Sequence, residues 1–267
     1  MADLILDLDG PVHAVDHGGL GPPMLLVHGL GGSLLDWRDV APALARQHRV
    51  WSLDLIGFGR TPIENRHATI DANQRLVDAM VRHVGQGEPV LLMGNSMGGL
   101  ISIVEASRRP DLVSGLVLVD PALPRTSGGR LAVMITAAFL VLAMPGVGKW
   151  LTQYRARRRG AEELVDDVLK LCTVDVSRIN PETRRAQIEL TTWRAQQDDP
   201  HRAFVEAARS LTNWLLRRQT LQTHIRGVRA PTLLIHGEAD RLVSVSAAGW
   251  AAALRPDWSF RVLADTG

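Results

Sequence analysis

Short apolar runs alternate with turn residues and amphipathic stretches along the first third of the chain. Residues 4–16, LILDLDGPVHAVD, predict two strands joined at Asp9-Gly10, a dipeptide typical of hairpins. A continuous apolar run at 24–29 is typical of a strand buried on both faces. Further strands are predicted at 49–55, at 89–94 and within 112–120. Helical spacing of apolar residues occurs at 36–47, 69–85 and 100–109.

The pattern changes after Pro121 and later changes back. About a hundred residues follow with helical composition, dense charge and no strand signal, before strands at 231–237 and 258–263 enclose a helix at 245–254. Strands that alternate with helices predict an α/β fold, with a mostly parallel twisted sheet and helices on both faces. We therefore expect a helical cap inserted after the strand that ends near Asp120, with a core of 1–124 and 230–267 and a cap of 125–229.

Composition narrows the class of protein. The chain is 46% hydrophobic and 22% charged, which is typical of a globular protein, and its net charge of +2 gives no case for nucleic-acid binding. Cys172 is the only cysteine, so no intrachain disulfide can form. The N-terminus lacks the basic start and the apolar run of a signal peptide, and no stretch reaches the roughly 18 apolar residues of a membrane span. These features predict a cytoplasmic protein.

The segment Gly94-Asn-Ser-Met-Gly-Gly99 lies between a predicted strand and a predicted helix. A serine on such a sharp turn needs small neighbours, which Gly94 and Gly98 supply. The helix that follows points its N–H groups and its positive dipole end at the turn, where they would stabilise an oxyanion. This context predicts Ser96 as a nucleophile, and the alternative is a structural serine in a glycine turn.

Two further segments end strands at the same edge of the sheet. LLVHGLGG (25–32) predicts a flexible loop, so that the backbone N–H groups of Leu30 and Met97 could form an oxyanion hole. LLIHGEADRLVS (233–244) puts Asp240 at the carboxyl edge, where ligands bind in open α/β sheets. His28 is expected to hold the first loop by hydrogen bonds.

Taken together, these segments resemble the α/β-hydrolase family. LLVHGLGG, WSLDLIGFGRTP, LLMGNSMGG, LVLVDPAL and LLIHGEADRLV occur in the order of that family. The resemblance implies that Ser96 is the nucleophile, Asp240 the triad acid, and Leu30 and Met97 the oxyanion donors. Asp120 is the alternative acid, because some members place the acid after the earlier strand; otherwise Asp120 is a structural residue.

The family order of serine, acid and histidine implies a histidine after the last strand. None of the nine histidines follows Asp240, and the family's histidine commonly follows a glycine, a position that matches Gly267. We therefore expect the C-terminal end to be truncated, the next residue to be histidine, and a final helix to follow.

The resemblance implies a serine hydrolase of carboxylic esters with a small hydrophobic substrate, acting without a metal or cofactor. One alternative is a carbon–carbon bond hydrolase of the meta-cleavage product type, because the elbow GNSMGG is similar to theirs. In that case Arg184 or Arg185 would stand near the cap position that binds the substrate carboxylate, although the loop HGLGG lacks their proline. A third alternative is a non-catalytic protein that binds a small ligand.

The start of the cap allows two interpretations. Residues 131–144 carry no charge, and Trp150, Tyr154 and the basic run 155–159 follow them. This combination is typical of a cap helix buried against the sheet with a solvated basic face. It is also typical of a cap that contacts lipid or a membrane surface.

Overall fold

One sheet of eight strands forms the centre of the fold. The computed structural model of the chain describes residues 2–124, 144, 146–197, 199 and 201–267. The strands are β1 Ala2–Asp7, β2 Pro11–Gly18, β3 Pro23–Val27, β4 Arg49–Leu53, β5 Val90–Asn95, β6 Val113–Val119, β7 Thr232–Gly237 and β8 Ser259–Leu263. Their order is β1-β2-β4-β3-β5-β6-β7-β8, with β2 antiparallel to β1 and β4 and the other neighbouring pairs parallel. The predicted α/β class is confirmed.

Helices cover both faces of this sheet. They are α1 Ala41–Leu44, α2 Ile70–Gly85, α3 Met97–Arg108, α4 Val147–Arg158, α5 Ala161–Cys172, α6 Pro181–Arg194, α7 Arg202–Leu216, α8 Arg218–Gly227 and α9 Val245–Leu254, with short 3₁₀ helices at Leu34–Trp37 and Val176–Arg178. Leu25 and Val27 of β3 enter the larger core, which includes residues of α2, α3, α8 and α9, whereas Met24 and Leu26 pack with Trp37 on the other face. This alternation follows from the two-residue period of a strand.

The prediction of one continuous helix over 36–47 is wrong. The chain forms a 3₁₀ helix and then the single turn of α1. The side chains of Ser33 and Asp36 cap the 3₁₀ helix. The Ser33 hydroxyl accepts a hydrogen bond from the Leu35 N–H, and the Asp36 carboxylate accepts one from the Ser33 N–H. Pro42 lies at the start of α1 and has no N–H to donate to the preceding turn, so the helix cannot run through this point.

Between β6 and β7 the described chain consists of helices α4 to α8, and the last two pack on the helices beside the sheet. Ser210 of α7 accepts a hydrogen bond from the Ile70 N–H at 3.0 Å, and Trp214 donates to Asp71 at 3.3 Å. The division at 124/125 and 229/230 stays a prediction. The helix predicted over 131–144 lies outside the described residues except for Met144.

A buried carboxylate joins three segments beneath the candidate site. Asp54 follows β4 directly and is 1% exposed. Its Oδ1 accepts from the Leu34 N–H at 2.8 Å, and its Oδ2 accepts from the Arg60 N–H at 2.8 Å and lies 2.6 Å from Nδ1 of His13. Asp54 thereby fixes the loop after β3, the loop after β4 and strand β2 to one point.

His13 balances the charge of Asp54. Its Nε2 lies 2.5 Å from the carboxylate of Asp3, so the imidazole is held between two acids. Burial opposes its positive charge, but the hydrogen bonds and charges of Asp54 and Asp3 outweigh burial, and the pKa of His13 is raised above its ordinary 6.5. The charged form is therefore favoured in the folded state.

We predict that His13→Gln destabilises the protein in a pH-dependent way. A raised folded pKa makes the contribution complete below the unfolded value of about 6.5, and the contribution is lost as the pH rises through the folded pKa. The free energy of unfolding, measured in urea over a pH series, should fall by about 2 kcal/mol at pH 5.5 and by progressively less at alkaline pH.

The matched control is His67→Gln, because His67 pairs with Glu206 at 2.6 Å but its side chain is 68% exposed. It should change stability by less than about 0.5 kcal/mol throughout. A His13→Gln deficit that grows with pH would contradict the charge assignment.

Candidate active site

Ser96 occupies the sharp turn between β5 and α3. Its φ of 49° and ψ of −115° are rare for a residue with a side chain, and such strain costs on the order of 1–3 kcal/mol. The turn is held by the Ser96 N–H, which donates to Val119 O at 3.0 Å, and by the Ser96 carbonyl, which accepts from Ala122 at 2.9 Å. Strain that persists at a single polar residue is a reason to look for function there.

Glycines make this turn possible by allowing backbones to approach. A Cβ at Gly98 would lie 2.3 Å from the carbonyl oxygen of Val27, and a Cβ at Gly94 would lie 2.5 Å from that of Gly98. Neither distance is possible for a real side chain, so β3, β5 and α3 meet as closely as they do only because both positions are glycine. This is the physical requirement that the sequence predicted.

The loop after β3 passes directly over Ser96. A Cβ at Gly29 would lie 3.1 Å from the Ser96 Cβ, which puts the backbone of Gly29 and Leu30 beside the serine. Met97 is the first residue of α3, and the N–H groups of a first helical turn have no partner within the helix. The structure therefore brings together Ser96 and the two predicted donor residues, Leu30 and Met97.

His28 fixes that loop from below. It is fully buried; its Nε2 accepts from the Leu55 N–H at 3.0 Å and its Nδ1 donates to Gly29 O at 2.7 Å. Burial lowers the pKa of His28, so the ring is neutral with its proton on Nδ1. His28 therefore has the expected structural role of holding the loop by hydrogen bonds.

Both candidate acids lie in one cluster beside the ends of β6 and β7. Oδ1 of Asp240 accepts from the N–H groups of Leu242 and Val243 at 2.7 and 3.0 Å. Oδ1 of Asp120 accepts from the Gly237 N–H at 2.7 Å. Burial, together with the nearby charge of Asp240, raises the pKa of Asp120, which disfavours a second negative charge at that position.

His236 lies between these two acids and is fully buried. Its Nε2 donates to Val243 O at 3.0 Å and is 3.8 Å from Asp240, while its Nδ1 is 3.5 Å from Asp120 and has no hydrogen-bond partner among the described residues. One possible ligand atom from each of the three side chains lies within 4.8 Å of the other two. Among the described residues, this cluster has the composition of a metal site. The hydrogen bond to Val243 shows that His236 shapes the turn that carries Asp240.

The acidic character of the site extends to the loop after β3. The carboxyl group of Asp36 lies against Gly32 and accepts from the Ser33 N–H at 3.3 Å. Although the residue is exposed overall, desolvation of its carboxyl group, with a further contribution from the charge of Asp54, raises the pKa of Asp36 to about 7. We call Asp36, Asp120 and Asp240 the acidic rim.

Cys172, the last residue of α5, lies close to this rim. It is exposed overall, but crowding around its sulfur and then the negative charges of Asp240 and Asp36 raise the pKa of the thiol to about 11. The thiol is therefore protonated at neutral pH and is a weak nucleophile. Cys172 of α5 therefore lies near both Asp240 and Asp36.

Two arginines of α6 connect this helix to neighbouring segments. Arg194 donates to Gly59 O at 2.9 Å and to Gly57 O at 2.7 Å, which ties α6 to the loop after β4. Arg184 is paired with Asp166 at 2.8 Å and Glu162 at 2.8 Å, so it joins α6 to α5. Arg185 is exposed and has no described contact near Ser96.

Sequence reasoning missed Asp54, Asp36, His236 and Arg194. Asp54 has one signal that could have identified it, because an aspartate directly after a buried strand lies at the carboxyl edge of the sheet. The others depend on contacts between segments far apart in sequence, and no local spacing marks them. Among the described helices, none has the length and the apolar character that crossing a membrane requires.

Comparison with known proteins identifies hydrolases that are similar to this chain in sequence. The chain is 29% identical over 236 residues to 2-hydroxy-6-oxo-6-(2'-aminophenyl)hexa-2,4-dienoic acid hydrolase of Metapseudomonas resinovorans, covering 86% of this chain and 72% of that protein. It is 25% identical over 235 residues to the pimeloyl-[acyl-carrier protein] methyl ester esterase of Aeromonas hydrophila, covering 86% and 82%. The first of these relatives is named a hydrolase and the second a methyl ester esterase.

A solved structure shows the same fold with another chemistry. A loop variant of a haloalkane dehalogenase from Bradyrhizobium elkanii superposes with a TM-score of 0.77 at 21% identity, covering 98% of this chain and 88% of that one. The family model of the alpha/beta hydrolase fold matches residues 22–267. The chain therefore belongs to the α/β-hydrolase fold family.

Proposed function

We propose that this protein is a serine hydrolase that cleaves carboxylic esters of a small hydrophobic substrate. The observation that carries the proposal is the strained backbone of Ser96. This residue lies at the N-terminal end of α3, with the backbone of Gly29 and Leu30 against it. The hydrolase relatives support the same reaction class.

In the proposed mechanism the Ser96 hydroxyl attacks the ester carbonyl carbon while a histidine takes its proton. The resulting oxyanion accepts hydrogen bonds from the N–H groups of Leu30 and Met97. Collapse of the intermediate expels the alcohol, which receives the proton from the histidine, and leaves an acyl-serine. Water activated by the same histidine then releases the acid and restores Ser96.

We propose that this histidine is bonded to Gly267. The loop after β8 lies on the turn that carries Asp240: Ala239 N–H donates to Thr266 O at 2.8 Å, and a Cβ at Gly267 would be 3.4 Å from the Asp240 nitrogen. Gly267 therefore lies beside the turn that carries Asp240. Sequencing the gene past this codon tests the proposal, and any residue other than histidine would contradict it.

Charge favours ester cleavage over the carbon–carbon alternative. A meta-cleavage product carries a carboxylate, and Arg184, a candidate to bind it, is already paired with Asp166 and Glu162. The acidic rim would repel such a substrate. The similarity to the Metapseudomonas resinovorans hydrolase is the observation that keeps carbon–carbon hydrolysis as the second candidate.

Apolar side chains beside the loop after β3 could contact the hydrophobic part of the substrate. Phe204 of α7 lies beside the loop after β3, where a Cβ at Gly31 would meet its ring at 3.1 Å. Phe204 and Leu30 are partly buried against the core, so each keeps some apolar surface uncovered. We assign this surface to the acyl or alcohol part of the ester.

The first prediction from this mechanism concerns Ser96. In the product of the full-length gene, Ser96→Ala should lower kcat on p-nitrophenyl butyrate by at least about a thousandfold, because the acyl-enzyme cannot form. Release of p-nitrophenolate measures the rate. The control is Ser114→Ala, an exposed serine on β6, which should retain activity within about twofold. Equal activity of Ser96→Ala and the parent would refute the assignment of Ser96 as the nucleophile.

The second prediction separates the two acids. Asp240→Asn should lower kcat by about a thousandfold or more, because an amide cannot stabilise the imidazolium or fix its tautomer. Asp120→Asn should cost about tenfold or less, since an amide oxygen can still accept from Gly237. The reverse order of losses, measured with the same ester, would make Asp120 the triad acid.

The third prediction concerns substrate charge. The protein should prefer p-nitrophenyl butyrate to the anionic p-nitrophenyl hemisuccinate in kcat/KM by about tenfold or more. Because Asp36 has a pKa of about 7, this preference should increase as the pH rises through 7. Titration of the catalytic histidine affects both substrates alike, so the ratio isolates the rim.

Asp36→Asn should flatten that pH dependence, because the amide cannot ionise. Asp111→Asn, which removes an exposed partner of Arg109, is the control of equal charge and should leave the ratio unchanged. A preference for the anionic ester, or a ratio independent of pH in the parent, would refute the assignment of the rim to substrate selection.

A further inference from the structure

Helix α4 presents large apolar side chains to solvent. Val147, Trp150 and Tyr154 are 39%, 61% and 44% exposed, and their spacing of three and four residues puts them on one side of the helix. Met144, just before the helix, is 50% exposed. The rings of Trp150 and Tyr154 stack with centroids 5.5 Å apart and planes 18° apart. We call these four residues the aromatic stripe.

Positive charge accompanies this stripe. Residues 144–160 contain no aspartate or glutamate, and their basic residues are Lys149, Arg155, Arg157, Arg158 and Arg159. The guanidinium of Arg158 lies 5.0 Å from the centre of the Tyr154 ring. Arg159 is paired with Asp167 at 2.7 Å, so its charge is partly neutralised. The helix that exposes the aromatic rings is therefore strongly basic.

Trp and Tyr rings beside basic side chains match the chemistry of a lipid headgroup region. The rings have an apolar body and a polar edge, which suits the boundary between acyl chains and water, and arginine and lysine attract anionic headgroups. The 12 residues of α4 are too few to span a bilayer. A protein partner would more often require a groove or pocket at the centre of its interface.

We propose that the aromatic stripe docks on an anionic lipid surface, with Trp150 and Tyr154 entering the headgroup region and the basic residues of α4 contacting the phosphates. Helix α4 packs on α7, which carries Phe204 beside the loop after β3. Docking therefore holds the cap side of the molecule against the lipid. It does not depend on the chemistry of Ser96.

Sedimentation with vesicles tests the aromatic part. The parent should bind vesicles of phosphatidylcholine and phosphatidylglycerol in equal parts, and Trp150→Ala with Tyr154→Ala should weaken partitioning by about tenfold or more. The matched control is Trp193→Ala with Leu216→Ala, which removes exposed apolar side chains elsewhere, 37% and 71% exposed. The control should bind as the parent does.

A charge-reduced variant tests the basic part independently. Arg155→Gln, Arg157→Gln and Arg158→Gln together should weaken binding by about tenfold, and added salt should weaken the parent similarly. The control of equal charge replaces the exposed Arg75, Arg226 and Arg229 by glutamine and should change binding by less than about twofold. Vesicles of phosphatidylcholine alone should bind weakly.

Three outcomes would overturn the proposal. One is failure of the parent to bind the anionic vesicles. Another is equal loss in the control variants. The third is a concentration-dependent dimer in light scattering that the Trp150 and Tyr154 substitutions abolish, because a second copy of the chain would then cover the stripe. Circular dichroism identifies misfolded variants, and the aromatic and charge variants each test docking without the other.

Discussion

The buried carboxylate of Asp54 is the constraint on which the site depends. It binds the Leu34 and Arg60 N–H groups and the ring of His13, so the loops after β3 and β4 cannot move apart without leaving a charge buried and unpaired. Such a loss costs about 3–5 kcal/mol. The loop after β3 is the segment that lies over Ser96, and the loop after β4 is the segment that Arg194 ties to the cap. Asp54 therefore holds both the loop over Ser96 and the loop to which the cap is tied.

A fixed loop matters because Ser96 holds strained geometry that the surrounding structure must maintain. Backbone N–H groups help an oxyanion only when they are aimed before the reaction begins, since reorientation during the reaction would cost free energy. His28 holds Gly29 from below, and the close approach of Gly98 to Val27 holds the start of α3. The strain at Ser96 and the rigidity around it are two consequences of one close-packed junction.

The sequence predicts those parts of the fold that local pattern determines. All eight strands and the turn at Ser96 follow from apolar runs and glycine positions. The prediction of a helix over 36–47 was wrong because apolar periodicity takes no account of Pro42 or of the cap that Asp36 forms. Asp54 was missed because its importance comes from groups 20 and 41 residues away that only the folded chain assembles. Asp240 was ranked above Asp120 by the family resemblance and not by local pattern, because strand order, which brings β6 beside β7, is not a local property.

The net charge of +2 conceals an uneven distribution of acidic and basic groups. Asp36, Asp120 and Asp240 supply carboxyl groups at the rim, and the sequence of α4 supplies basic side chains. An anionic surface would attract the basic helix α4 before any apolar contact forms. The same rim would disfavour anionic substrates. A neutral hydrophobic ester is the substrate class that fits both proposals, because it would dissolve in lipid and would not be repelled by the rim.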